Sequence, residues 1–213
     1  MPIVTFTILI ACVGFSMYAF SDRSIMDKYL FNAYAIKHFN QKYRFLSHAF
    51  IHADYAHLII NMYVLYSFGR IIESQVYPFL FGKYSTLYFI LMYTMGIYAS
   101  SFADYIKHKN NQYYNAVGAS GAVSALVFSF ILIAPVETLG LFLPLPAWLF
   151  GFLYLGYSFY MDRRKGDNIA HGAHAWGAVF GFLFTGIVGE IYGKPVFLKF
   201  YIQISNSITN FFG

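Results

Sequence analysis

The sequence predicts an all-α membrane protein, a bundle of six transmembrane helices. Of its 213 residues, 59% are hydrophobic and 11% charged. A soluble domain carries about 25% charged residues, so this chain is short of the charge needed to coat a surface facing water. Its mean hydropathy is +0.54. The apolar residues also fall in runs of about twenty, the length that crosses a bilayer as a helix. The 20 Tyr and 25 Phe suit interfacial belts and lipid-facing surfaces.

The runs lie at 3–20, 53–68, 84–103, 115–134, 145–161 and 170–190. The first opens "MPIVTFTILIAC", with no basic residue ahead of its apolar stretch, and reads as a retained span, not a cleaved leader. The connection 21–51 is amphipathic and aromatic, which places it partly in the membrane interface. The second run is short and starts with polar residues; the third is uninterrupted. The fourth opens on a cluster of small residues, "GASG". "LPLPAW" (143–148) is expected as a tight turn feeding the fifth run, and "DRRKGDN" (162–168) as the one strongly polar short loop. Residues 1–190 are expected to form one six-span domain. Residues 191–213 are too interrupted to span and are expected to be an interfacial or cytoplasmic tail.

The bulk numbers also exclude classes. The single cysteine, Cys12, excludes an internal disulfide. The net charge of +5 is thinly spread through loops and points to anionic lipid headgroups, with no nucleic-acid partner. No internal repeat or pair of broken helices favours a transporter or channel. Loops after runs one, three and five hold Arg23, Lys28, Lys37, Lys42, Arg44, Lys107, Lys109, Arg163, Arg164 and Lys165. The other side holds Arg70, Lys83, Lys194 and Lys199. Taken alone, that asymmetry puts both termini outside.

Polar side chains inside spans are costly and mark function by default. The second run carries His48, His52, His57 and Asn61 in or near it, the fourth Ser120 and Ser124, the sixth His171 and His174. Runs two, four and six all cross the bilayer in the same direction. His57, Ser120 and His174 each sit one turn into their run, roughly 6–8 Å below the same membrane face. His57 and Asn61, four apart, share a helix face. Three segments thus deliver a hydroxyl, an imidazole and a His/Asn pair to one depth. A serine hydroxyl needs a base, and neutral histidine is the usual one. The oxyanion it would generate needs donors, which Asn61, His57 and the backbone N–H groups at a helix start can supply.

Each feature has a plainer reading. Gly118, Ser120, Gly121 and Ser124 could form a packing face of small residues, and Gly177 and Gly181 form an outright GxxxG, for which packing is the preferred reading. His48, His52 and His171 read as structural, bonding backbone or loop groups. Packing, however, does not require matched depth. A metal centre is not expected: HExxH is absent, and no carboxylate accompanies the histidines within the spans. GxSxG is also absent, since Ala122 follows Gly121, which excludes an α/β-hydrolase elbow.

These residues resemble the rhomboid intramembrane serine proteases, in family order from about Arg44 to Gly181. "GASG" around Ser120 resembles the nucleophile motif GxSG. "HADYAHLIIN" resembles the second-span pattern ending His57-x-x-x-Asn61, and "AHAWGAVFG" resembles HxxGxxxG with His174, Gly177 and Gly181. Gly69 and Glu73 match G-x-x-x-E. The resemblance implies a six-helix bundle with a Ser120–His174 dyad and no cofactor. His57, Asn61 and the Ser120 N–H would hold the oxyanion. Its substrates would be single-span membrane proteins cut near small residues. It further implies a cavity opening to the extracytoplasmic side, in a bacterial inner membrane. Loop 162–168 would cap that cavity, and span five would serve as lateral gate. The alternative is a non-proteolytic relative that binds membrane helices. Two positions depart from the pattern. Tyr43-Arg44 replaces a Trp-Arg pair. Ser124 stands where many members stack an aromatic on the catalytic histidine, a task left to Trp176 or another ring.

Overall fold

The computed structural model describes residues 1–140, 144–164 and 169–212. The chain is almost wholly helical. α1 (Ile3–Ser21) leads into three short helices, α2 (Arg23–Tyr29), α3 (Ala33–Phe39) and α4 (Arg44–Ser47). These occupy the connection expected at the interface, and their starts are legible. Asp22 accepts from the Ser24 N–H and Asn32 from the Ala35 N–H, as N-cap side chains do. Asn40, at φ 54, ends α3 in the left-handed region that Asn tolerates. Arg44 locks the connection: its guanidinium donates to Gln41 Oε1 and to the Asp27 and Leu30 carbonyls.

α5 (Tyr55–Val64) is capped by Asp54, whose carboxylate accepts from the His57 N–H at 2.8 Å. The helix does not stop near 68 as the hydropathy pattern suggests. It continues through two wide π turns, Leu65–Gly69 and Ile72–Val76, into α6 (Tyr77–Phe81). The polar residues that ended the apolar run lie inside the helix because one of them is used. Glu73 turns back to α1, where its Oε1 accepts from Val4 N–H at 2.9 Å and its Oε2 from Thr5 N–H at 2.8 Å and Thr5 Oγ1 at 2.7 Å. A carboxylate at the positive end of a helix is favourable, and here it also satisfies otherwise unpaired N–H groups. Glu73→Ala would leave them without partners. It is expected to cost about 2 kcal/mol, seen as a lower midpoint of unfolding in titrated detergent, with Glu73→Gln recovering part of the loss.

α7 (Ser85–His108) follows after a reversal at Gly82, whose φ of 55 combined with ψ of −126 only glycine adopts readily. Along one continuous helix Tyr77 and Phe89 would be about 18 Å apart; their rings are 6.3 Å apart, so the chain doubles back. α8 (Ser120–Ile133) is the centre of the bundle, with ten of its fourteen residues buried. A two-rung antiparallel ribbon, Thr138–Leu139 against Leu145–Pro146, then leads into α9 (Ala147–Arg164). It stands where a simple turn was expected; residues 141–143 lie outside the described residues.

α10 (His171–Ile191) packs on α8 with backbone against backbone. A Cβ on Gly177 would overlap the Gly121 carbonyl, and one on Gly181 the Ala125 carbonyl. This is the close approach that small residues permit. Deeper in the core Ser129 on α8 donates to the Gly181 carbonyl, Thr185 on α10 donates to Ser129, and the Tyr77 hydroxyl meets Thr185 at 2.9 Å. α11 (Val196–Phe212) folds back so that Phe197 and Val196 fit against Gly186 and Gly189.

By length and composition, three helical stretches among the described residues can cross a membrane: Ile3–Ser21, Tyr55–His108, which the reversal divides, and His171–Ile191. Ser120–Ile133 is apolar but shorter. The architecture is an all-α membrane bundle. Its α1 and α7 C-terminal ends and its α5, α8 and α10 N-terminal ends gather on one side.

Candidate active site

At that side, Ser120 is the first residue of α8 and His174 the fourth of α10. The glycine contact between the two helices holds their ends together. Ser120 Oγ lies 2.7 Å from His174 Nε2, within the reach a nucleophile and its base require. With the imidazole neutral and its proton on Nδ1, the hydroxyl donates to Nε2.

The loop that presents Ser120 is pinned from three directions. Phe31 and Ala116 exchange backbone hydrogen bonds at 2.9 and 3.1 Å. Gly118 N–H donates to the His48 carbonyl at 2.9 Å. Ala119 N–H donates to His52 Nε2 at 3.4 Å. Because that nitrogen accepts, the His52 proton sits on Nδ1 and donates to Ser16 Oγ at 3.0 Å, while the Ser16 hydroxyl donates to the Phe50 carbonyl at 3.2 Å. The run reaches from α1 to the residue beside the nucleophile. Burial keeps both loop histidines neutral: it pushes His48 down to about 4 and, with His57 alongside, His52 down to about 3.

His57 closes the opposite wall. Its Nδ1 accepts from Ala53 N–H at 3.4 Å, which leaves the ring proton on Nε2. That edge lies against Gly118, where a Cβ would meet Cε1 at 2.8 Å and Nε2 at 2.9 Å. Gly118 is therefore required twice over, by the imidazole and by its own φ of 110. Asn61, buried one turn further in, donates one amide N–H to the His57 carbonyl at 2.9 Å.

The structure thus brings Ser120, His174, His57, Gly118, Gly121, His52 and Asn61 to one end of the bundle. Ser124 and His171 flank the dyad. Arg44, Glu73 and Gly181 act elsewhere, in the connection, at the start of α1 and in the α8–α10 contact. Trp176 does not take the supporting role expected of it. It is half-exposed and packs edge-on to Phe159, 6.0 Å away, because residues two apart on a helix face different ways. The expected capping loop falls largely at 165–168, outside the described residues. Among the described residues no three His, Cys, Asp or Glu side chains converge as metal ligands would.

Several site residues escaped the sequence reading. A cavity of about 20 Å³ adjoins Ser120, with Ser100, Ser101, Asp104 and His48 in its wall. It has the size and polarity to hold one water. Asp104 there accepts from the Tyr114 hydroxyl at 2.5 Å. The available signal was the spacing of Ser100 and Asp104, four apart at the end of the third run.

Comparison with known proteins bears on this arrangement. Residues 39–191 match the Rhomboid domain family. The chain belongs to the rhomboid family. It is also 31% identical over 144 residues to RHOMBOID-like protein 12, mitochondrial, of Arabidopsis thaliana. That stretch is 62% of this chain and 42% of the relative, so the chain spans under half of that protein's length. The rhomboid match starts at the last residue of α3 and ends with α10. It therefore contains the dyad, His57, Asn61 and the pinned loop, and leaves α1 and α11 outside.

Proposed function

We propose that this chain is an intramembrane serine endopeptidase. The observation that carries the reading is the 2.7 Å hydrogen bond between Ser120 and His174 at the paired ends of α8 and α10. In this mechanism Ser120 Oγ attacks a scissile carbonyl while His174 Nε2 takes its proton. His174 then returns that proton to the leaving amine. The negative oxygen lies against the Ser120 N–H, the Asn61 amide and His57 Nε2–H, fixed donors of the kind that stabilise a tetrahedral intermediate. A water from the side of Ser100 and Asp104 then attacks the acyl-enzyme, with His174 again the base. The family resemblance implies a dyad with no third acidic member.

The substrates are single-span membrane proteins, cut near small residues, as the family resemblance implies. The dyad lies on the side that carries the α1–α5 connection, which the family resemblance makes the extracytoplasmic one, although the loop charge asymmetry taken alone puts that side inside. The chain is an integral membrane protein. The relative is by its name mitochondrial and lends the expected bacterial inner membrane no support.

A fluorophosphonate tests the chemistry directly. The folded protein in detergent should be labelled at Ser120, mapped by peptide mass spectrometry, and labelling should vanish on denaturation. A folded protein that stays unlabelled would instead indicate the non-proteolytic alternative, a rhomboid that only binds membrane helices.

A further inference from the structure

Ser124 stands where a ring was expected to steady the catalytic histidine, and the structure places two rings nearby on a different helix. Tyr154 and Tyr157, three apart, share one face of α9. The Tyr154 hydroxyl meets Ser124 Oγ at 2.7 Å. The Tyr157 ring stands edge-on to His171, with centroids 5.6 Å apart at 85°. His171 in turn packs edge-on to His174 at 6.1 Å and 72°. Ser124 is one turn inward from Ser120 on α8, and His171 one turn outward from His174 on α10. The two tyrosines therefore touch the residues that bracket the dyad, one on each helix and on opposite sides of it.

Resting on the protease reading, we propose that Tyr154 and Tyr157 are positioning residues for the Ser120–His174 pair, acting through Ser124 and His171. Tyr154 fixes the rotation of the first turns of α8. Tyr157 fixes the plane of His171 and through it that of His174, so that Nε2 faces Oγ. Edge-to-face ring pairs are worth more than the area they bury, and a hydroxyl pair with one side chain buried has little water to exchange with. The support comes from a thinly embedded helix of the bundle. Only Ala147, Gly151 and Ser158 of the eighteen residues of α9 are buried. Nearer its outer end α9 is also tied by Phe159, edge-on to Trp176, and by Asp162, bonded to Lys107 at 2.6 Å. The dyad is thus aligned while α9 is seated and loosened when α9 moves away.

The test compares a small fluorophosphonate, which reaches Ser120 from water, with a single-span substrate in vesicles. Tyr157→Leu, His171→Ala and the pair Tyr154→Phe/Ser124→Ala are each expected to slow labelling of Ser120 about five- to tenfold. Cleavage should lose kcat by a similar factor, with KM within about twofold of the parent. Tyr157→Phe and His171→Phe, which keep a ring edge, should recover most of the rate. The unfolding midpoints of all these proteins are measured alongside. Labelling at the parent rate in the folded variants, with only cleavage changed, would make α9 an access element and overturn the proposal. So would a failure of both ring-keeping variants to rescue folded protein. A parent that is itself never labelled instead overturns the protease reading on which the proposal rests.

Discussion

Ser120→Ala is expected to lower cleavage of a single-span substrate by about 10³-fold or more, with His174→Ala close behind. The two losses should not add in the double variant. Nucleophile and base act as one unit, so once either is gone the other has nothing to do. Neither change should unfold the protein. Ser120 sits at the surface end of α8, and the α8–α10 contact is made by Gly177 and Gly181 on Gly121 and Ala125, not by the dyad. The measurement is a single-turnover cleavage assay in vesicles beside an unfolding curve for each variant. Activity that survives Ser120→Ala would sink the mechanism. A variant that lost activity because it had lost its fold would be exposed by the curve.

Gly181→Val is expected to have the next largest effect, and to act through structure. A Cβ at 181 would run into the Ala125 carbonyl, and backbone cannot rotate aside as a side chain end can. Overpacking of this kind costs about 3 kcal/mol. The helices can relieve it only by moving apart, and the same movement lengthens the hydrogen bond between Ser120 and His174. A misplacement of about 1 Å can cost about 10²-fold in rate. Gly181→Val should therefore lower both the unfolding midpoint and kcat, where the dyad variants lower kcat alone. Gly14, with nothing within 4 Å of an added Cβ, provides the control: Gly14→Ala, inside α1, should leave kcat unchanged and hold or raise the midpoint.

The sequence displays the bundle and the pieces of the site that come at matched depth. Ser120, His57 and His174 are legible because each is a polar residue in the first turn of an apolar run, and their runs share a direction. Hydropathy does not show the extension of α5 through Glu73, because a charged residue normally ends an apolar run, although the G-x-x-x-E pattern puts Gly69 and Glu73 at the close of that span. Only the start of α1, far away in sequence, explains why the helix does not end there. Ser16 is hidden for a similar reason, as one hydroxyl in α1 whose partner, His52, is 36 residues on. Tyr154 and Tyr157 look like ordinary lipid-facing aromatics among many. Their meaning depends on which face of α9 turns inward, and α9 buries too few residues for its sequence to say.

The two polar anchors of α1 have a consequence for how the protein meets membranes of different thickness. Thr5 is fastened to Glu73 near one end of α1, and Ser16 to His52 near the other. A helix held at two heights cannot slide along its neighbour. In a thinner or thicker bilayer this pair of spans has to tilt as one unit or deform the lipid around it. Ala119, bonded to the same His52, travels with that unit. The depth of the nucleophile is therefore measured from the protein's own frame, and lipid chain length should alter the lean of the molecule before it alters the setting of Ser120.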